Sequence, residues 1–275
     1  IAIQGTFDDC QALLKGAFND LAFRDEVTLS AVNSINWARV VAQVVYYITS
    51  AVALGAPDKA VSFAVPTGNF GCVFAGYGAA QMGLPIDKLI VATNRNDILH
   101  RFFQTGIYCT DAVVATQSPS MDVQVASNFE RLLFDLAGRE GALLRQQMGA
   151  VVEKGGFEVS PGALQQAHRL FLSHRVDEAA TTATIGEVYR EHGFAIDPHT
   201  AVGLRAARDL QPHGPVITLA TAHPAKFPDA VEKACGLRPP LPDHMADLYE
   251  REERCAVLPN DLSVLQNYIR NLRRP

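Results

Sequence analysis

The sequence is poor in the features that mark a special environment. Its five cysteines, Cys10, Cys72, Cys109, Cys235 and Cys255, are odd in number and widely spaced, with no C-x-x-C pair. That spacing excludes a zinc ribbon, a thioredoxin-like redox pair and a dense disulfide frame, and a reducing compartment, the cytoplasm, is the expected location. Basic residues are not in excess: 24 Lys and Arg stand against 29 Asp and Glu, a formal charge of -5. A broad nucleic-acid footprint is thereby excluded, and a small molecule is the expected partner. The most apolar stretch, residues 40–54, is broken by Gln43, Thr49 and Ser50 and is too short for a membrane span. No basic run, apolar h-region or small-residue cleavage site follows Ile1, and with no Met at that position further upstream sequence is expected. Internal repeats and low-complexity segments are missing, and a monomer is the expected assembly.

What the chain does have is 275 residues, 48% of them hydrophobic, enough to bury a core as one large domain or two modest ones. Over the first 110 residues, Val- and Ile-rich runs alternate with segments of helical period, the pattern of an α/β fold with an open, mostly parallel sheet flanked by helices. Strands are predicted over 27–32, 60–65, 88–93 and 112–116, and helices over 34–54, 70–82 and 96–105. The alternation then gives way to helical patterns over 141–152, 161–173 and 177–192. Asp197-Pro198 is a cap and first-turn pair for a helix reaching about residue 210, and 216–220 reads as a returning strand. Prolines 239, 240, 242 and 259 predict a surface wrap before a closing helix over 261–272.

Ligands of open parallel sheets bind beyond the carboxyl ends of the strands, and the residues that follow the predicted strands are polar. They are Asn33-Ser34-Ile35-Asn36, Thr67-Gly68-Asn69-Phe70-Gly71, Asn94-Arg95-Asn96-Asp97 and Thr221-Ala222-His223. Any one cluster is explained by helix capping; four on one edge favour a ligand site. In the second cluster the glycines permit a tight turn into a helix start whose amides face outward, an arrangement that holds phosphate. It is not a P-loop, because Tyr77 stands where the Gly71 to Gly76 spacing requires lysine, and G-x-G-x-x-G fails from both Gly68 and Gly76.

Val65-Pro66-Thr67-Gly68-Asn69-Phe70-Gly71 resembles the pyridoxal-phosphate phosphate loop of threonine synthases. Gly5-Thr6-Phe7-Asp8-Asp9-Cys10, Asn33-Ser34-Ile35-Asn36-Trp37, Ala92-Thr93-Asn94 with Asn96-Asp97-Ile98-Leu99, and Ser118-Pro119-Ser120-Met121-Asp122 are similar to the same family in the same order. So are Ser127-Asn128-Phe129-Glu130-Arg131, Asp197-Pro198-His199-Thr200 and Thr221-Ala222-His223-Pro224-Ala225-Lys226-Phe227. The resemblance implies a fold-type II (tryptophan synthase beta-like) lyase that uses pyridoxal 5'-phosphate to convert O-phospho-L-homoserine and water to L-threonine and phosphate. It implies that Gly68, Asn69, Phe70, Gly71 and Cys72 hold the cofactor phosphate, Cys72 standing where the family has Asp or Asn. Thr221 is implied as the partner of the pyridine nitrogen, and Asn33, Ser34, Asn36 and Arg39 as the residues that meet the substrate phosphate.

The resemblance also places the family's Schiff-base lysine, the implied base, upstream of Ile1. The chain is therefore expected to be the carboxyl-terminal portion of a longer enzyme, with residues 1–117 its cofactor-binding α/β part and 118–196 a mainly helical insertion. Residues 197–236 would return to the sheet and 237–275 form the wrap and last helix. Another fold-type II lyase such as a threonine dehydratase, or a noncatalytic phosphate-ligand binding fragment, stays open. Of the six lysines, Lys226 is the tempting substitute nucleophile, and a helix-end charge is the preferred reading. His199 reads as structural, while His223 is either packed near the cofactor or a turn support. Asp8 and Asp9 read as first-turn acids, Trp37, Tyr46 and Tyr47 as core aromatics, and Arg273-Arg274 as a solvated tail.

Overall fold

The computed structural model describes residues 1–5, 7–31 and 33–272. Along the chain lie β1 (Ala2–Gln4), α1 (Phe7–Asn19), α2 (Leu21–Val27), α3 (Trp37–Ala53), β2 (Val61–Pro66), α4 (Gly71–Gln81), β3 (Ile86–Thr93) and α5 (Ile98–Thr105). They are followed by β4 (Ile107–Cys109), α6 (Phe129–Leu136), α7 (Gly141–Lys154), β5 (Gly156–Glu158), α8 (Pro161–His168), β6 (Phe171–Arg175) and α9 (Glu178–His192). The last elements are α10 (Pro198–Leu210), β7 (Val216–Thr218), α11 (Pro228–Cys235), β8 (Val257–Pro259) and α12 (Leu262–Leu272). Residues 1–32 with 242–275 form one compact unit and residues 33–241 the other. No helix among the described residues is long and apolar enough to cross a membrane.

In the smaller unit β1 pairs in parallel with β8, and α2 starts on Asp20, whose carboxylate accepts from the Phe23 N–H at 3.0 Å and from the Gln266 side-chain amide Nε2 at 2.9 Å. Arg270 lies over the Phe23 ring and donates to Glu26.

The larger unit is built on a four-stranded sheet in the order β6-β3-β2-β7, every pair parallel. All six residues of β2 are buried, the mark of a strand covered on both faces. Phe63 and Val65 point to one face with Leu89 and Val91, where they meet Tyr47 of α3 and Val73 of α4. Ala64 points to the other with Ile90 and Ala92, against Val202 and Ala206 of α10. On the first face the core is strongly aromatic: Phe129 makes edge contacts with Phe70 and Phe102 at centroid distances of 5.0 and 4.8 Å, and Phe171 stacks on Phe103 at 5.3 Å.

Four sequence expectations are corrected. Residues 27–32 are not a strand: Val27 ends α2, and Thr28 terminates the helix in the left-handed region with its N–H on Arg24 O; Val32 lies outside the described residues. The Val-rich run therefore caps a helix end. The helix predicted over 161–173 stops at His168, and residues 171–175 are β6. Phe171 and Ser173 alternate inward there, a period-2 signal that the preceding helical pattern had masked. The stretch 118–196 thus supplies a sheet strand as well as helices. Residues 112–116 form no strand, because a side chain takes the place of a neighbouring strand: Asn96 accepts from the Val114 N–H and donates to Val114 O, both at 2.8 Å. Of the aromatics read as core, Tyr47 is fully buried, whereas Trp37 and Tyr46 are 55% and 61% exposed. Thr6, Arg273 and Arg274 lie outside the described residues, as does the side chain of Asp8.

Helix α4 packs tightly on this core at Gly76, where a Cβ would stand 2.5 Å from Tyr47 Cε1 and 2.9 Å from Leu89 Cδ2. Gly76→Ala is expected to lower stability by up to about 2 kcal/mol, since overpacking of about 1–3 kcal/mol outweighs the ~1 kcal/mol that Ala gains over Gly in a helix. A urea midpoint equal to or above that of the unsubstituted protein would contradict this packing.

Candidate active site

At the carboxyl edge of the sheet the chain leaves β2 through a loop that is fixed at both ends. The Thr67 N–H bonds Ala92 O at 2.8 Å, extending the β2/β3 ladder by one residue, and Thr67 Oγ1 donates to Val65 O at 2.6 Å. Gly68 follows in a position with no room for a side chain, because a Cβ there would lie 2.5 Å from Ser120 O and 3.2 Å from Met121 Cα. Phe70 then adopts φ 64°, ψ 2° at the start of α4, without a side-chain cap. A left-handed non-glycine residue costs about 1–2 kcal/mol, and burial of its ring against Phe129 and Phe171 opposes that cost. The left-handed residue followed by a helical one turns successive N–H groups to the same side, and the first amides of α4 have no intrahelical acceptor; both are anion-binding arrangements.

Two braces hold the loop. Asn69 Oδ1 accepts from Ser127 Oγ at 3.2 Å and Asn69 O accepts from the Asn128 N–H at 3.0 Å, so the NH2 end of Asn69 remains the end able to donate to a ligand. Fully buried Asn128 donates to Ser34 O at 2.7 Å, and Arg131 to Ile35 O at 2.8 Å. The turn from Ser118 to Asp122 is held by a polar network: Asp122 accepts from Asn94, Asn96 and the Thr116 hydroxyl on Oδ1, and from the Thr116 N–H on Oδ2.

These segments wall a cavity of about 780 Å³, lined by residues 66–73, Ser120 and Met121, His199, residues 217–222, Lys226, and the α3 side chains Arg39, Gln43, Tyr46, Thr49 and Ser50 together with Ser34. Its volume is that of a small-molecule site. Two cations line it, Arg39 and Lys226, and no carboxylate does; neither cation makes an ion pair among the described residues. In a chain of charge -5 this local inversion, next to outward-facing amides, favours an anionic ligand. The donor set suits a phosphate monoester on a flat ring: amides and Asn69 for the phosphate, and the neutral Thr221 hydroxyl on the β7 side.

Gly68, Asn69, Phe70, Gly71, Cys72, Thr221, Ser34 and Arg39 are thus brought together around one cavity. Asn33 and Asn36 are not: Asn33 Oδ1 accepts from the Ile35 N–H at 3.2 Å, and Asn36 caps α3 through the Ala38 N–H at 2.9 Å. His223 caps the turn 224–226 through the Ala225 N–H, so it supports a turn. Gln43, Tyr46 and Ser50 were missed, although with Arg39 they recur at the 4-, 3- and 4-residue steps of one helix face. The Cys72 carbonyl accepts from Tyr47 Oη at 2.7 Å, and burial pushes the Cys72 thiol above its ordinary range. A protonated thiol is a poor nucleophile, so iodoacetamide at about pH 8 is expected to alkylate Cys72 at least about tenfold more slowly than exposed Cys10 and Cys255. Peptide mass spectrometry over time checks this, and comparable rates would contradict the burial.

Comparison with known proteins agrees along the chain. Residues 200–269 match the family model described as threonine synthase, C-terminal. The chain is 54% identical over 272 residues to the threonine synthase of Pseudomonas aeruginosa and 44% identical over 278 residues to that of Corynebacterium glutamicum, in each case over 98% of its own length. A crystal structure of pyridoxal-phosphate-bound threonine synthase from Brucella melitensis superposes with a TM-score of 0.93 at 53% identity, again over 98% of the chain. The chain spans 58% of the length of each of these relatives. With its parallel sheet, its phosphate-type loop and these likenesses over almost every residue, the chain belongs to the threonine synthase family and has the fold-type II architecture.

Proposed function

We propose that this chain serves a threonine synthase reaction, in which O-phospho-L-homoserine and water become L-threonine and phosphate with pyridoxal 5'-phosphate as cofactor. The observation that carries the reading is the cavity itself, which joins an amide-lined loop to two cations that, among the described residues, have no ion-pair partner and no carboxylate beside them in the lining. When bound, the cofactor supplies an electron sink for the pair left on a substrate carbon as its proton is lost.

The chain's own residues bind and orient. The amides at Gly68, Asn69, Phe70, Gly71 and Cys72 hold the cofactor phosphate, and the Thr221 hydroxyl meets the pyridine nitrogen without placing a negative charge there. Ser34 and Arg39, across the cavity on the α3 side, take the substrate phosphate, for which a guanidinium offers two parallel hydrogen bonds. Asn33 and Asn36 act one step back, by fixing the turn that presents Ser34. The lysine that carries the cofactor is assigned to a part of the relatives' length that this chain does not span. Lys226 is exposed at the end of the 224–226 turn and is not given that role. A cytoplasmic setting and a small-molecule partner complete the reading, in keeping with five free thiols.

The test is an assay of the purified holoenzyme for phosphate and threonine from O-phospho-L-homoserine. Equimolar release of the two is expected. Production of 2-oxobutanoate from threonine, with no phosphate released from the phosphoester, would replace this reading by a threonine dehydratase. In the same assay Arg39→Met is expected to raise KM about tenfold or more, the loss of a hydrogen bond to a charged group. A KM left unchanged would remove Arg39 from the site.

A further inference from the structure

One nearly buried imidazole joins two of the walls around this cavity. His199 lies in the first turn of α10, is 4% exposed and lines the cavity. Its Nδ1 is 2.9 Å from Asp197 Oδ1, and its Nε2 is 3.2 Å from the backbone nitrogen of Ser120. A backbone N–H can only donate, so Nε2 is the acceptor, and Nδ1 carries the proton that the Asp197 carboxylate accepts. With both nitrogens engaged, the ring has no lone pair free to take a proton from a ligand.

The Ser120 bond matters because of what Ser120 touches next. Its carbonyl oxygen stands 2.5 Å from where a Cβ at Gly68 would be, so the turn is seated directly on the phosphate loop with no intervening side chain. On its other side the His199 ring packs on Phe227 at a centroid distance of 4.7 Å, and Phe227 follows the segment from Thr221 to Lys226 that closes the β7 wall. Nothing else among the described residues is hydrogen-bonded to the Ser120 N–H.

We propose that His199, as a neutral imidazole protonated on Nδ1, is a positioning residue that sets the phosphate loop against the β7 wall by holding the Ser120 turn on Gly68. It contacts neither reacting atoms nor cofactor phosphate, and it acts through Ser120 and Phe227. The inference rests on the pyridoxal-phosphate reading of the cavity.

Two substitutions separate the two bonds. In His199→Asn the amide reaches only as far as Nδ1, so a donor to Asp197 is kept and the acceptor for Ser120 is lost. In His199→Gln the amide oxygen reaches as far as Nε2, and the acceptor is restored. In the holoenzyme, His199→Asn is expected to weaken pyridoxal 5'-phosphate binding about tenfold and to shift the 31P resonance of the bound cofactor, the loss of one hydrogen bond at a positioned wall. His199→Gln is expected to stay within about threefold of the unsubstituted protein and to keep its 31P resonance. Equal affinities and equal 31P shifts in the two variants would overturn the proposal. A second measurement needs neither variant to fold: 15N resonances of His199 in the unsubstituted holoenzyme are expected to show a protonated Nδ1 and a bare Nε2, and the reverse tautomer would overturn it as well. Unsubstituted protein that takes up no pyridoxal 5'-phosphate would instead overturn the reading of the cavity.

Discussion

Because β2 lies between β3 and β7 with every residue from Val61 to Pro66 buried, its backbone is tied to both neighbours and to the residues that flank them, and the strand has no freedom to slide. A one-residue slip would carry Phe63 and Val65 out of the aromatic core and into the small-residue face that Ala64 shares with Val202 and Ala206. The strand's end is therefore a fixed point. From that point Thr67 adds one more rung to the ladder, and the chain must enter α4 within four residues. That is too short a distance for anything but a tight turn, and the turn leaves its amides facing the cavity. The geometry of the loop follows from the packing of a strand several residues away.

The neighbouring segments have no strand to pair with, and polar side chains serve as their partners instead. Asn96 bonds both polar groups of Val114, Asp122 gathers Asn94, Asn96 and Thr116, and Asn128 secures Ser34 while its own N–H secures Asn69. Buried polar networks of this kind fix a unique arrangement only when every member is satisfied, and among the described residues the one buried side-chain atom without a partner, Gln147 Oε1, lies far along the sequence in α7. The site is thus held by side-chain hydrogen bonds wherever the sheet cannot hold it.

That division explains which parts of the molecule were legible in the sequence. The strands at β2 and β3 and the helix after Asp197-Pro198 follow from apolar runs and a local cap, and they fall within about two residues of expectation. β6 was hidden because Phe171 continues the apolar spacing of α8, and only the neighbouring strand β3 decides that it pairs. The polar clusters were legible as clusters and not as roles. An asparagine that binds a ligand and one that replaces a strand partner look identical in sequence, and Asn33, Asn36, Asn94 and Asn96 all proved to bond the chain itself. Gly68 and Asn69, by contrast, sit in a glycine-bounded turn at a helix start, a backbone feature that is visible in the sequence.

The electrostatics of the cavity depend on one carboxylate being kept behind its wall. Asp197 is 1% exposed and stands next to a residue that lines the cavity, where an uncompensated negative charge would oppose binding of a phosphate. It is instead saturated: the His199 and Thr200 N–H groups, the Thr200 hydroxyl and His199 Nδ1–H all donate to it at the electropositive start of α10. The imidazole then shows the cavity a neutral ring, with its remaining lone pair already given to Ser120. Elsewhere, acids are met by arginines on outer helix faces, as in Arg205 with Asp209 and Arg208 with Glu187, while Arg39 is left for the cavity. A chain with more acids than bases can therefore present a cavity whose charged lining is cationic, because Asp197 is held behind the wall with both of its oxygens taken up by hydrogen-bond donors.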